Sequence, residues 1–135
     1  MIIQKKKLDT IPNKKGKIAK FFHKKIVNFK YPKEVYFSYV KYNKIKGWKL
    51  HKKQTTIISV ISGKIKIVFY DKKKNFIKEF ILSGKSLHQI IIPPNVWYAF
   101  KGLDIKDNII CSLINFSYSD LEQKTIELNQ IHYNW

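Results

Sequence analysis

The stretch TTIISVISGKIKIVFYD, residues 55–71, decides the fold. Two apolar runs rich in β-branched residues flank Ser62-Gly63, a pair that suits a tight turn. Beyond the turn the side chains alternate, with Ile65, Ile67 and Phe69 on one side and Lys64, Lys66 and Val68 on the other. The pattern predicts two strands joined as a hairpin. The same texture continues outward in both directions. VYFSYVKY (35–42), FIKEFIL (76–82), HQIIIPP (88–94) and NIICSLINFSY (108–118) each read as a strand. Pro93-Pro94 cannot donate ladder hydrogen bonds and closes its strand. No helical period lasts three turns. The best short helical segment is SDLEQKTIEL (119–128), with Ser119 as N-cap and Glu122 at the capping-box position. Many short antiparallel strands in 135 residues predict one all-β domain, residues 1–135, built as a barrel or two-sheet jelly roll with a short C-terminal helical segment. Such folds hold ligands at the barrel mouth.

Composition narrows the function classes. An apolar fraction of 44% excludes a disordered chain, and nothing approaches the ~18 uninterrupted apolar residues of a membrane helix. The start, MIIQKKKLD, places charge where a signal peptide carries its apolar region, and a single cysteine, Cys111, suits a reducing compartment. Cytoplasm is the expected location. The net charge of +18 invites a nucleic-acid reading, yet all 27 basic residues are lysine. Bidentate guanine readout and guanidinium stacking are mainly arginine tasks, so the charge reads first as a solvated lysine coat. Real attraction for an anion, such as a diphosphate, is the other reading.

The order of several short motifs then resembles a known family, the sugar-nucleotide cupins: the dTDP-4-keto-6-deoxyhexose 3,5-epimerases (dTDP-4-dehydrorhamnose 3,5-epimerase) and the related 3,4-ketoisomerases. IPNKKGKIAKFF (11–22) is similar to an early Asp-x-Arg-Gly-x-Phe segment, with Lys15 where the arginine stands. EVYFSYV, KGWKLH and SGKIKIVFYDKKK follow in the family's order, the last ending its strand at Asp71. IPPNVWYAF (92–100) resembles Ile-Pro-x-Gly-x-x-His-x-Phe, and YSDLEQKTIELNQIHYNW (118–135) resembles the epimerases' closing Tyr, Glu and terminal Trp. Each motif is weak alone; their order and spacing are specific. The resemblance implies a cupin-type jelly roll, a dTDP-sugar substrate, and a homodimer with exchanged N-terminal strands.

The implied chemistry takes a proton from the carbon beside a ketone and returns it elsewhere. That needs a base, an acid, a donor for the enolate oxygen and cations for the diphosphate, but no redox cofactor or metal. On KGWKLH, Lys46 stands for the family's arginine and Lys49 for its first histidine. His51 stands where the epimerases carry glutamine and the ketoisomerases their second histidine. Two apart on a strand, Lys49 and His51 point the same way. His51 is the preferred base, because free imidazole already titrates near ~6.5, whereas a lysine needs burial to become one. Tyr98 replaces a second family histidine and can donate to an enolate or act as an acid. Ser112 falls where the epimerases place a catalytic tyrosine, and the epimerases' aspartate partner of the base is not identifiable in ELNQIHYNW.

Lys46 and Lys15, the latter from the neighbouring subunit, are the expected diphosphate contacts. Trp48 and Trp97 are expected to stack on sugar or base, with core packing as the alternative. Many cupins hold a metal at positions that here read Lys49, His51, Gln54 and Tyr98; one good ligand predicts no bound metal, and Gln54 is left as a substrate contact. His23, His88 and His132 carry no motif. Three function classes follow: a dTDP-keto-sugar epimerase or ketoisomerase, a non-catalytic sugar-nucleotide binder, and a nucleic-acid-binding barrel. The membrane is not an expected partner, and nucleic acid ranks last.

Overall fold

The structure is a computed structural model that describes residues 3–22, 29–117 and 121–135. His23, Tyr118 and Ser119 lie outside the described residues. Among the described residues twelve strands follow in chain order: β1 Lys5–Lys7, β2 Asp9–Asn13, β3 Gly16–Lys20, β4 Glu34–Val40, β5 Ile45–His51, β6 Thr56–Ser62, β7 Lys64–Asp71, β8 Phe76–Ser83, β9 His88–Ile92, β10 Trp97–Gly102, β11 Asn108–Ile114 and β12 Gln123–Thr125. They form two five-stranded sheets, β1-β9-β6-β11-β4 and β12-β5-β10-β7-β8, and β2 pairs with β3 as a separate hairpin. Every strand pairing is antiparallel. The arrangement is an all-β jelly roll of cupin type. No helix of the described residues is long and apolar enough to cross a membrane.

Alternation along each strand builds the core. Ile65, Ile67 and Phe69 of β7 meet Val40, Ile58, Val60, Ile90, Ile92 and Ile110 of the opposite sheet. The other side of β7 is not simply solvated. Val68 lies buried with Trp48, Ala99 and Ile131, because the chain's last residues fold over the outer face of that sheet. Gly63 takes φ +75° at the β6–β7 turn, a conformation in which a side chain is strained. Its neighbour Asn108 is fully buried and fastens this end of the fold. The Asn108 Oδ1 accepts the N–H groups of Lys64 and Asp104, and its Nδ2 donates to the carbonyls of Val40 and Asp104.

The closing segment departs from expectation. Within 119–128 the described residues form β12, paired with β5, and the single helical turn is a 3-10 element at Leu128–Gln130. Glu122 therefore does not cap a helix. Strand pairing wins because residues 123–125 complete the free edge of β5, where their backbone groups find partners that a short isolated helix would have to supply itself.

Asn108→Ala leaves several buried backbone groups without partners. It should lower stability by about 3 kcal/mol, read as a reduced urea midpoint at unchanged slope.

Candidate functional site

Two adjoining cavities open between the sheets. One, of about 150 Å³, is lined by Tyr36 and Ser38 of β4, Lys46 and Lys49 of β5, Thr56 and Ile58 of β6, Tyr98 and Phe100 of β10, and Ser112 of β11. The other, of about 240 Å³, is lined by Glu34, Tyr36, Lys49, His51, Gln54, Ile114, Glu122 and Gln123. Tyr36 and Lys49 border both. Together the two fall at the low end of ordinary small-molecule sites, roughly 300–1,000 Å³.

A bulge in β5 shapes the wall. Phe100 pairs with Lys46 and Tyr98 with Lys49, so three steps on β5 oppose two on β10. The extra residue keeps Lys46 and Lys49 on the cavity side although they are an odd number apart. Gly47 makes this approach possible, since a Cβ there would collide with the side chain and backbone of Ala99.

His51 is the centre of the second cavity. Its Nδ1 lies 2.6 Å from Oε2 of Glu122, and both residues are buried. The other carboxylate oxygen, Oε1, accepts the N–H groups of Lys53 and Gln54, each at 2.9 Å. Burial alone would raise the Glu122 carboxyl, but the His51 hydrogen bond and the two N–H groups outweigh it and hold the group below its ordinary 4.5. An ionised carboxylate accepts, so Nδ1 carries the proton and Nε2 is the basic nitrogen. The Tyr98 ring lies nearly parallel to the His51 ring, at 6.2 Å between centroids.

The phenols are donors. Burial first, then Tyr36 and the Glu122 carboxylate, hold the Tyr98 hydroxyl far above its ordinary value. Burial also raises Tyr36, against a hydrogen bond with Ser112 that pulls the other way. Burial and then the Lys46 ammonium hold the Lys49 amine below its ordinary 10.5. Gln54 donates from Nε2 to the Thr56 hydroxyl at 2.8 Å and is buried.

The structure thus brings together Lys46, Lys49, His51, Gln54, Tyr98 and Ser112 from the sequence reading. It separates two others. Trp48 and Trp97 do not face the cavities: they pack on the opposite side of the sheet with the chain's end, where Trp48 Nε1 donates to the Leu128 carbonyl and its ring meets Trp135. Strand alternation causes this, since Trp97 precedes Tyr98 and the bulge turns Trp48 away from Lys49. Lys15 sits at the turn of the exposed β2–β3 hairpin and lines neither cavity.

Two site residues escaped the sequence reading. Glu122 looked like a helix cap, and its signal was only that of one acid among nine in the chain. Tyr36 lies in an ordinary strand pattern, and its signal is the face Tyr36, Ser38, Val40, more polar than the alternate face. Among the described residues no three His, Cys, Asp or Glu side chains gather as a metal set.

The fold and site together define a cupin-type jelly roll with a carboxylate-held histidine and two phenols between its sheets. More narrowly, the chain belongs to the family described as "FdtA: WxcM-like, C-terminal", which matches residues 1–124. No curated protein sequence matches it. Among solved structures it is similar to a dTDP sugar isomerase from Desulfovibrio desulfuricans G20, at 23% identity and TM-score 0.87 over 98% of this chain and 90% of that one. The dTDP-4-dehydrorhamnose 3,5-epimerase from Bacillus anthracis str. Ames, with TDP and PPi bound, is similar at 20% identity and TM-score 0.85 over 98% and 84%. A variant of the 3,4-ketoisomerase QdtA from Thermoanaerobacterium thermosaccharolyticum, in complex with TDP-4-keto-6-deoxyglucose, follows at 21% and 0.77 over 90% and 86%.

The Glu122 carboxylate stabilises the fold as well as the histidine. Because its folded value is depressed, that contribution is complete above the ordinary 4.5 and fades as pH falls through the lower folded value. Urea titrations of wild type and Glu122→Gln should therefore differ most at neutral pH and converge on acidification.

Proposed function

We propose that the protein is an epimerase or isomerase of a dTDP-linked 4-keto-6-deoxyhexose, acting in deoxysugar and cell-surface polysaccharide biosynthesis in the cytoplasm. The carrying observation is the His51–Glu122 pair on one cavity, with Tyr36 bordering it and Tyr98 lining the adjoining one, its ring 6.2 Å from that of His51. In this reading Nε2 of His51 removes the proton beside the ketone, and Glu122 fixes the tautomer and balances the imidazolium that forms. Tyr98 and Tyr36 hydrogen-bond the oxygen as it gains charge. A phenol held protonated suits that task better than it suits proton removal. Lys46 offers charge toward the diphosphate, and Lys15 does so across a homodimer with exchanged N-terminal strands. The chemistry asks for no redox cofactor and no metal.

Epimerisation, at C3 alone or at C3 and C5, is the first form of the reaction. The second is 3,4-isomerisation, which a single carboxylate-held histidine favours: one base can take the C3 proton and deliver it to C4. Family membership and the likeness to keto-sugar enzymes support both forms.

Incubation with dTDP-4-keto-6-deoxyglucose in deuterated water, followed by NMR, separates the outcomes. Exchange at C3 and C5 marks a 3,5-epimerase, exchange at C3 alone a one-carbon epimerase, and a carbonyl moved to C3 a ketoisomerase. His51→Gln should lower the exchange rate by about 100-fold or more. A protein that binds dTDP yet exchanges no ring proton is a binder, and the enzyme reading ends.

A further inference from the structure

We infer that Lys49 is a nucleophile, which captures the substrate's ketone as a protonated imine so that the neighbouring proton is lost to an electron sink stronger than a hydrogen-bonded carbonyl. The inference rests on the keto-sugar reading above and deepens it.

Three features of the cavity carry it. Lys49 borders both cavities and is the direct cross-strand partner of Tyr98, two positions from His51 on the same strand. An electrophilic carbon held beside the His51 and Tyr98 rings is therefore within the reach of a four-carbon amine stem. Secondly, Lys49 has no ion-pair partner among the described residues. The buried carboxylate nearest the chemistry, Glu122, is occupied by His51 and by the N–H groups of Lys53 and Gln54. The other ionisable groups facing it are Glu34 and Tyr36 of β4, Tyr98 of β10, and Lys46 and His51 of its own strand. Thirdly, the β5 bulge places a second ammonium, Lys46, on the same wall. Lys46 is itself exposed, but its charge beside the half-buried Lys49 favours the neutral amine, the form that acts as a nucleophile. Burial and Lys46 act on Lys49 in that direction.

The step balances without an oxidant or reductant. Lys49 first passes its ammonium proton to Nε2 of His51. The neutral Nζ then adds its electron pair to C4, the carbonyl π pair moves to oxygen, and an N–H proton shifts to that oxygen to give the carbinolamine. The His51 imidazolium protonates this hydroxyl, which leaves as water and gives the protonated imine. His51, now neutral, takes the proton from the adjacent carbon, and the C–H pair becomes the enamine double bond as the nitrogen charge is discharged. Return of the proton restores the imine. Water then adds, the ketone is released, Lys49 departs as a neutral amine, and His51 recovers the proton set free. One water leaves and one returns.

The test is reductive trapping of the whole chain with dTDP-4-keto-6-deoxyglucose and sodium cyanoborohydride, which reduces an iminium in preference to a ketone. Intact mass and peptide mapping should show one secondary-amine adduct, on Lys49, suppressed by excess dTDP. Lys49→Arg keeps the charge but forms no imine, so it should lose both the adduct and deuterium exchange while still binding dTDP. Exchange in wild type with no adduct on Lys49, or with adducts scattered over surface lysines, overturns the inference and leaves the keto-sugar reading standing. Undiminished exchange in Lys49→Arg overturns it equally. Absence of both exchange and adduct ends both readings.

Discussion

One carboxylate holds the site and the chain's end together. Glu122 brings the closing segment against β5 by binding the His51 imidazole with one oxygen and two backbone N–H groups with the other. The bonds from His51 and Gln54 are buried and the one from Lys53 is partly so, and in such places an unmet acceptor is costly and a met one is strong. The same bonds settle which nitrogen of His51 is basic. A positional requirement of the fold and a chemical requirement of the site are thereby met by a single group.

The sheet that carries His51 works on both faces. Its inner face, through Lys46, Lys49, His51 and Tyr98, lines the cavities. Its outer face, through Trp48, Val68, Trp97 and Ala99, lies beneath the final residues, where Tyr133 and Trp135 pack edge to face. Large aromatic rings on the outer side give the wall stiffness, and the polar side chains of Lys46, Lys49 and His51 on the inner side border the cavities. The bulge at Gly47 links the two roles, since it puts both lysines inside while Trp48 stays out.

The lysine excess also divides. Most lysines are exposed, whereas Lys49 is half-buried beside Lys46 without a carboxylate partner among the described residues. Surface charge contributes little locally because water screens it. In a narrow cavity the same charge alters proton affinity, so the position of one lysine carries more chemical meaning than the total of 27.

The local alternation of apolar and polar residues was enough to locate the strands around Ser62-Gly63, because a strand's two faces are written at a spacing of two. Motif order added β5, β10 and the cavity-facing residues Lys49, His51, Tyr98 and Ser112. What remained hidden were pairings between distant parts of the chain. Glu122 meets His51 across 71 positions, and no local pattern distinguishes that glutamate from a helix cap. Trp48 and Trp97 looked equally fit for ligand or core until the last residues were seen to cover them. Tyr36 joined the site only when β4 was laid against β11, where Ser112 is its cross-strand partner. Sequence determined which segments become strands, since that depends on neighbours a few residues away. Tertiary structure decided which side chains share a cavity, since antiparallel closure joins residues by register across the sheets rather than by distance along the chain.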